Sequence, residues 1–162
     1  MGGGHLPKQR QGLQVIQHLG QTYRSMQAAF AGCVGHALPR WRILLALHER
    51  GECSQKELAE RSRQDPAALT RQLQAMEQLG WIARNVDPAD NRLTNASLTE
   101  SGQAVVEAAL PRRAAFFEQA LKGLSAQEIA ELNRMLSVLE ENFLRAGAAA
   151  RQELAEAPDR VQ

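Results

Sequence analysis

Residues 54–102 decide the fold; they read SQKELAERSRQDPAALTRQLQAMEQLGWIARNVDPADNRLTNASLTESG. The pattern predicts two short helices and then two short strands that are separated by a polar turn, residues 87–92. A capping box of Ser54 with Glu57 opens the first helix, and Asp65-Pro66 opens the second. This is the order of a winged helix-turn-helix, in which the second helix enters the DNA major groove and the hairpin lies beside it.

The segments on either side of this stretch are predicted to be helical. Before it, apolar residues recur every three or four positions from Leu13 onward, and a second helix starts at Pro39. After it, a helix starts at Thr99, and Pro111 within it predicts a kink or a break. A second capping box, at Ser125, opens a long last helix.

The expected fold class is therefore mostly α with a small β-wing. The first and last long helices each carry an apolar stripe that so small a lobe cannot wholly cover, which favours a homodimer over an intramolecular bundle. The residues expected at the dimer interface are Ile16, Leu19, Ile129, Leu132, Leu136, Leu139 and Phe143. The predicted organisation is a flexible N-terminus (1–12), a dimerisation helix (13–36), a winged helix-turn-helix lobe (39–102), C-terminal helices of the dimerisation region (103–150) and a frayed tail (151–162).

Composition and residue spacing exclude several classes of function. With 44% hydrophobic and 23% charged residues among 162, the chain is typical of a soluble globular protein. No run approaches the roughly 18 apolar residues of a membrane span, and the N-terminus lacks a signal-peptide core, so a cytoplasmic protein without a membrane partner is expected. The four histidines are scattered, the two cysteines lack metal-like spacing, and no phosphate-binding glycine loop is present. We therefore expect no metal, no cofactor and no enzyme activity.

The exposed face of the second helix of the motif is expected to read DNA. Arg71 suits a bidentate contact with guanine, Gln72 and Gln74 suit adenine, and Thr70 can meet a thymine methyl group or a phosphate. A solvated helix face is the alternative for each of them. With the helix starts and the wing included, the predicted DNA-binding set is Ser54, Ala67, Ala68, Thr70, Arg71, Gln72, Gln74, Arg84, Asp90 and Arg92.

The polar turn of the hairpin carries a second candidate contact with DNA. Arg92 at its tip is suited to a narrow minor groove, where negative potential is concentrated, and Asp90 can hold its guanidinium by a charge-assisted pair. The alternative is an ordinary exposed ion pair, worth about 0–1 kcal/mol. Ser54 and Arg84 are candidates for phosphate contacts or for purely structural roles. The net charge of +1 means that any basic face must arise from folding.

On these residues the chain resembles the MarR family of bacterial one-component transcription factors. The resemblance covers roughly Leu13–Phe143 and is most specific in Leu69-Thr70-Arg71, Leu79–Arg84 and Asp87–Gly102. It implies a triangular homodimer, a palindromic operator and repression that a small ligand relieves. The tip, Asp90-Asn91-Arg92, departs from the family's frequent Asp-Arg-Arg or Asp-Lys-Arg and carries one fewer charge for phosphate.

The resemblance also implies an effector site between the dimer helices and the DNA-reading lobe, often for small aromatic or phenolic carboxylates. In this chain it would lie near the end of the first helix and the start of the second. Arg40 and a histidine can hold a carboxylate, and Trp41 or Tyr23 can stack on a ring. The candidate ligand-binding set is His18, Tyr23, His36, Arg40 and Trp41. A core role for Trp41 and a phosphate contact for Arg40 are the alternatives.

Two other functions stay open on the sequence. Cys53 adjoins the start of a helix, which lowers the pKa of a thiol, whereas Cys33 lies at the end of the first helix. A cysteine-based redox-sensing regulator is therefore one alternative. The other is a helical protein-interaction module that keeps the winged fold without binding DNA.

Overall fold

The computed structural model describes residues 8–62, 64–87, 90 and 93–156, and it divides into two compact units with a boundary between Phe117 and Glu118. The elements in chain order are α1 (Lys8–Val34), α2 (Leu38–Arg50), β1 (Cys53–Ser54), α3 (Gln55–Ser62), α4 (Pro66–Gln78), β2 (Ile82–Val86), β3 (Thr94–Leu98), α5 (Glu100–Ala120) and α6 (Ala126–Glu156). The mostly α fold with a small β-wing is thus confirmed. Among the described residues, no helix is long and apolar enough to cross a membrane.

The capping box of α3 forms as the sequence predicts. The backbone N–H of Ser54 donates to Glu57 Oε2 at 2.9 Å, and the Glu57 N–H donates back to Ser54 Oγ at 3.3 Å. Hydrogen bonds from the backbone N–H and the hydroxyl of Ser54 hold the pKa of the Glu57 carboxyl below its ordinary value. Two otherwise unpaired backbone donors are satisfied in this way, which fixes where α3 begins.

The second helix of the motif, α4, is also capped as predicted. Asp65 Oδ2 accepts a hydrogen bond from the Ala68 N–H at 2.9 Å, and a proline occupies the first turn. Its inner face is fully buried through Leu69, Leu73 and Met76. Leu79, the next leucine in the chain, is 51% exposed because α4 ends at Gln78 and Leu79 lies in the capping turn.

The sheet has the strand order β1-β3-β2 and is antiparallel throughout. Ala96 in the central strand pairs with Arg84 on one side and with Cys53 on the other. Two residues are too few to show a strand period, so the sequence does not predict a strand in this link between α2 and α3. The link is a third strand, and it joins the base of the wing to the start of α3.

The core of the first unit is larger than the lobe predicted at 39–102. Helix α1 contributes the fully buried Phe30 and Val34, and α5 contributes Val106 and Ala109. Phe30 meets Phe116 edge-on, with ring centroids 5.3 Å apart. The C-terminal part of α1 is therefore part of the core that positions the motif, in addition to any role in dimerisation.

Both terminal helices are longer than predicted. Residues 8–12 were expected to be flexible, but α1 already begins at Lys8; residues 151–156 were expected to fray, but α6 continues to Glu156. These segments are rich in Lys, Arg, Gln, Glu and Ala, which favour helix by intrinsic propensity without adding an apolar stripe. A prediction from apolar periodicity misses such ends.

Pro111 does not break α5, which runs from Glu100 to Ala120. A proline inside a helix removes the N–H that would bond to the carbonyl four residues earlier. Pro111 and Glu107 are both exposed, so the carbonyl that loses its partner belongs to an exposed residue. The predicted break is wrong for this reason.

The second unit consists of the end of α5, a turn and α6. The Ser125 N–H donates to Glu128 Oε2 at 2.8 Å, which confirms the second capping box. Along α6, Leu132, Leu136 and Phe143 are exposed, whereas Ile129 and Leu139 are half-buried. This helix thus presents an apolar stripe, as the sequence predicts.

Candidate nucleic-acid interface

The outer face of α4 presents part of the predicted reading set. Arg71, Gln74 and Ala67 are exposed, on the side opposite the buried stripe of the helix. Thr70 is half-buried, and its hydroxyl donates to the Pro66 carbonyl at 2.9 Å. The Ala68 N–H is used by the helix cap. Arg71 and Gln74 are therefore the long polar side chains of the set that α4 presents to solvent.

Two of the predicted contact atoms are not presented to solvent or are already hydrogen-bonded. The amide Oε1 of Gln72 is buried and has no hydrogen-bond partner among the described residues, so this oxygen faces protein and not solvent. The hydroxyl of Ser54 donates to Glu57 Oε2 at 2.8 Å as part of the capping box. Contacts of these two atoms with DNA would require both side chains to rearrange.

Arg84 of β2 is held by an acid of α4. Its Nε and Nη2 donate to Glu77 Oε2 at 2.9 and 2.5 Å, respectively. These hydrogen bonds hold the pKa of the Glu77 carboxyl below its ordinary value. The guanidinium predicted as a phosphate contact is thus already in an ion pair within the protein.

The base of the wing is closed by backbone hydrogen bonds. The Asp87 N–H donates to the Leu93 carbonyl at 2.9 Å, and the Leu93 N–H donates to the Asp90 carbonyl at 2.9 Å. The Asp90 N–H donates to Asp87 Oδ1 at 3.1 Å. Arg92 lies outside the described residues, so its predicted minor-groove contact and its pairing with Asp90 stay predictions.

A second group of side chains lies where α1 ends and α2 begins. We call it the His36 cluster: His36, Arg40, Trp41, Trp81 and Arg112. The His36 ring meets Trp81 edge-on at 5.5 Å between centroids and is nearly parallel to Trp41 at 6.4 Å. Arg40 Cζ lies 5.8 Å from the centroid of the Trp81 ring, a cation–π arrangement.

The His36 cluster contains two arginines, Arg40 and Arg112, that form no ion pair within the described part of the chain. Burial lowers the pKa of His36, and the charges of Arg112 and Arg40 lower it further. Arg40 Nε and Trp41 Nε1 are buried donors for which the described residues offer no acceptor. Buried donors are usually paired, so this arrangement suits an anion with hydrogen-bond acceptors.

The structure brings together only part of the predicted ligand-binding set. His36, Arg40 and Trp41 lie in one cluster, although Trp41 is also a core residue and only 2% exposed. His18 and Tyr23 are exposed on α1, roughly 24 and 16 Å along the helix axis from its end at Val34. Trp81 and Arg112 were missed because they come from separate segments of the chain.

Protonation of His36 should make the stability of the protein depend on pH. The unfolded chain takes up this proton as the pH falls through about 6.5, but the folded chain resists it because its pKa is lowered. The free energy of unfolding should therefore decrease between about pH 7.5 and about pH 5.5. Urea midpoints at fixed protein concentration measure the effect. The same decrease in a His36→Gln variant would show that other groups cause it.

Cys53 does not have the environment of an activated thiol. Cys53 is buried, and burial raises the pKa of its thiol, with a further rise from the charge of Glu57. A raised pKa keeps the thiol protonated and slow to react. Cys33 is exposed near the C-terminal end of α1. The predicted effect of the helix start on Cys53 is therefore outweighed by desolvation.

Comparison with known proteins agrees with this geometry. The MarR family model matches residues 37–94, from the start of α2 to the start of β3. The uncharacterized HTH-type transcriptional regulator YdgJ of Bacillus subtilis is 29% identical over 130 residues, which are 80% of this chain and 79% of that protein. The repressor IacR of Pseudomonas putida is 31% identical over 106 residues, 65% and 64% of the two chains. The uncharacterized regulator YxaD of Bacillus subtilis is 33% identical over 102 residues, 63% of this chain and 71% of YxaD.

Solved structures show the same fold. A probable transcriptional regulator from Pseudomonas aeruginosa is 32% identical, with a TM-score of 0.68 over 75% of this chain and 92% of that one. BpsR of Bordetella bronchiseptica, whose DNA binding is regulated by 6-hydroxynicotinic acid, is 24% identical, with a TM-score of 0.70 over 78% and 98%. A cysteine-to-serine mutant of Escherichia coli MarR in complex with operator DNA is 20% identical, with a TM-score of 0.74 over 82% and 98%. The chain therefore belongs to the MarR family of DNA-binding transcriptional regulators, which are not enzymes.

Proposed function

We propose that this chain is a homodimeric repressor of a pseudo-palindromic operator and that a small aromatic or phenolic carboxylate releases it from DNA. The observation that carries the proposal is the His36 cluster, where buried donors and cations lie beside aromatic rings without a carboxylate partner among the described residues. IacR is a repressor by name, and 6-hydroxynicotinic acid, which regulates BpsR, is an aromatic acid. The first precedent supports the repressor role, and the second supports the proposed class of effector.

Exposed apolar side chains support the homodimer. On α1, Ile16 is 43% exposed and Leu19 is half-buried. On α6, the predicted interface residues Leu132, Leu136 and Phe143 are exposed. A second copy of the chain can cover these surfaces, and a two-fold symmetric dimer presents paired α4 helices to successive major grooves.

A carboxylate suits the His36 cluster for two physical reasons. It would accept charge-assisted hydrogen bonds from Arg40, whose Nε finds no acceptor among the described residues, and it would offset the repulsion between Arg40, Arg112 and a protonated His36. An aromatic body on the ligand adds contact with the Trp81 ring. Because an anion favours protonated His36, effector binding should strengthen as the pH falls.

Trp81 offers a route from the effector to the DNA-reading elements. It follows Gly80 in the turn that joins α4 to β2, and its backbone N–H donates to the Met76 carbonyl at 3.0 Å. Its side chain contacts both His36 and Arg40. A ligand that draws Arg40 away from the Trp81 ring removes a cation–π contact from the residue at this turn. An equilibrium between two lobe orientations would then shift toward the one that does not fit DNA.

Replacing Arg40 by glutamine should uncouple the effector from DNA release. We expect release of DNA from this variant to require a concentration of the aromatic acid about tenfold or more above that for the wild type, because a hydrogen bond to a charged group contributes about 1.5–3 kcal/mol. Without effector, operator affinity should change by less than about threefold, because Arg40 is not in the reading set. The measurement is fluorescence anisotropy of a labelled duplex from upstream of the gene, titrated with benzoate, salicylate and hydroxynicotinate.

Arg42→Gln is the matched control, since Arg42 is an exposed arginine of the same helix outside the His36 cluster. It should release DNA like the wild type. Equal loss of response in both variants would contradict the assignment of the site. Release by peroxide and by none of the acids would favour the redox alternative, although the buried Cys53 argues against it.

A further inference from the structure

Glu77 and Arg84 are at the two ends of the connection between the recognition helix and the wing. Glu77 is in the last turn of α4, and Arg84 is in the middle of β2. Their ion pair has an N–O distance of 2.5 Å, and the side chains are 38% and 22% exposed, respectively. Partial burial and two donors on one oxygen make this pair more strongly held than an exposed surface pair.

The direction of the Arg84 side chain agrees with a role inside the protein. Successive side chains of a strand point to opposite faces, so Arg84 shares a face with Ile82, which is buried. Its cross-strand neighbour Ala96 is fully buried as well. Arg84 therefore leaves the sheet on the side of the hydrophobic core, where Glu77 meets it.

The backbone between these residues contains a point of rotation. Gly80 has a φ of +71°, a conformation that glycine adopts readily, and it lies between the end of α4 and the start of β2. A chain that turns at one glycine can change the angle between helix and strand by small dihedral changes. The Glu77–Arg84 pair is a second connection across the same turn, so it restricts that angle.

We propose that the Glu77–Arg84 pair is a positioning device that fixes the wing relative to the recognition helix and so contributes to operator specificity, and that Arg84 is not a phosphate contact. On its operator the protein must place α4 and the wing in register at the same time. On non-specific DNA, binding comes mainly from charge, and register matters little. Loss of the pair should therefore weaken operator binding selectively. The proposal rests on DNA binding by the family and does not depend on the effector.

The test uses the full-length protein with Glu77→Gln, Arg84→Gln, both changes together, and the charge swap Glu77→Arg with Arg84→Glu. The probes are a duplex that the wild type selects from a random-sequence library and a scrambled duplex of equal length and composition. The selection itself establishes DNA binding before any variant is made. Dissociation constants are measured by anisotropy over a range of salt concentrations, and circular dichroism checks the fold.

We expect both single variants to lose about fivefold or more in operator affinity, with the scrambled duplex bound as before. The double variant should be no worse than either single one, and the charge swap should recover part of the affinity, because the two residues act as a pair. The slope of log K against log salt should not change. A phosphate contact predicts the opposite pattern: Arg84→Gln would weaken both duplexes and reduce the slope by about 0.9 for each protomer, whereas Glu77→Gln would tighten both. That pattern, or wild-type binding by every variant, would overturn the proposal.

Discussion

Replacing Arg71 and Arg92 together by alanine should abolish operator binding. Arg71 is exposed on the outer face of α4, opposite Leu69, Leu73 and Met76, which hold the helix in the core. A bidentate contact of such an arginine with guanine contributes about 1–3 kcal/mol. A dimer loses the contact in both half-sites, about 2–6 kcal/mol in total, so Arg71→Ala alone should weaken binding by roughly 30-fold to 10⁴-fold. Loss of the wing-tip charge of Arg92 should remove what remains.

The measurement is anisotropy with operator and scrambled duplexes, together with light scattering to show that the dimer persists. Arg151→Ala is the control for loss of one positive charge, since Arg151 is exposed on α6 outside the predicted interface. If Arg71→Ala loses base preference at one position of each half-site, the contact is with a base. Operator affinity that stays unchanged in the double variant would falsify the assignment of the outer face of α4 as the reading surface.

Gly102→Ala should cause the largest loss of stability among Gly→Ala substitutions at the described glycines. A Cβ at position 102 would lie 1.9 Å from the Trp81 carbonyl oxygen and 2.8 Å from its carbon. That carbonyl cannot easily move, because it accepts the Thr99 N–H at 3.0 Å and its residue is tied to Met76. Overpacking against backbone typically costs about 1–3 kcal/mol and here should reach about 3 kcal/mol, equivalent to a fall in melting temperature of roughly 10 °C.

Gly32→Ala is the matched control for this substitution. Gly32 lies within α1, is exposed, and a Cβ there would meet nothing within 4 Å. Alanine should therefore stabilise the protein by about 0.5–1 kcal/mol through helix propensity. Thermal unfolding followed by circular dichroism compares the two variants. A Gly102→Ala protein as stable as the wild type would mean that the approach of α5 to the Trp81 turn is not tight in solution.

The helix-turn-helix could be predicted because its determinants are local in the sequence. The capping box of Ser54 with Glu57 and the Asp65-Pro66 start each involve residues a few positions apart, and both form. The same holds for the cap of α5, where Gly102 N–H donates to Thr99 Oγ1 at 3.1 Å. Signals of this kind fix where helices begin before any tertiary contact is known.

The parts that could not be predicted depend on contacts between distant segments. The His36 cluster joins residues from the α1–α2 link, α2, the α4–β2 turn and α5, and no periodicity relates these four segments. The inward amide of Gln72 and the ion pair of Arg84 depend on how α4 packs on its neighbours. Spacing along the helix identified the outer face of α4 but could not show which polar side chains the protein uses for itself.

The short strand β1 has a consequence for how the lobe opens. Cys53 pairs with Ala96, and Asn95 Nδ2 donates to Glu52 Oε1 at 3.1 Å across 43 positions of sequence. Both helices of the motif, α3 and α4, lie within the loop that these contacts close. Most of the chain entropy in this segment is gained only when β1 separates from β3 and the loop that contains α3 and α4 is released. Unfolding of the wing while this loop stays closed therefore gains little chain entropy. The amide hydrogens of α3, α4 and the sheet should accordingly exchange with solvent as one cooperative unit.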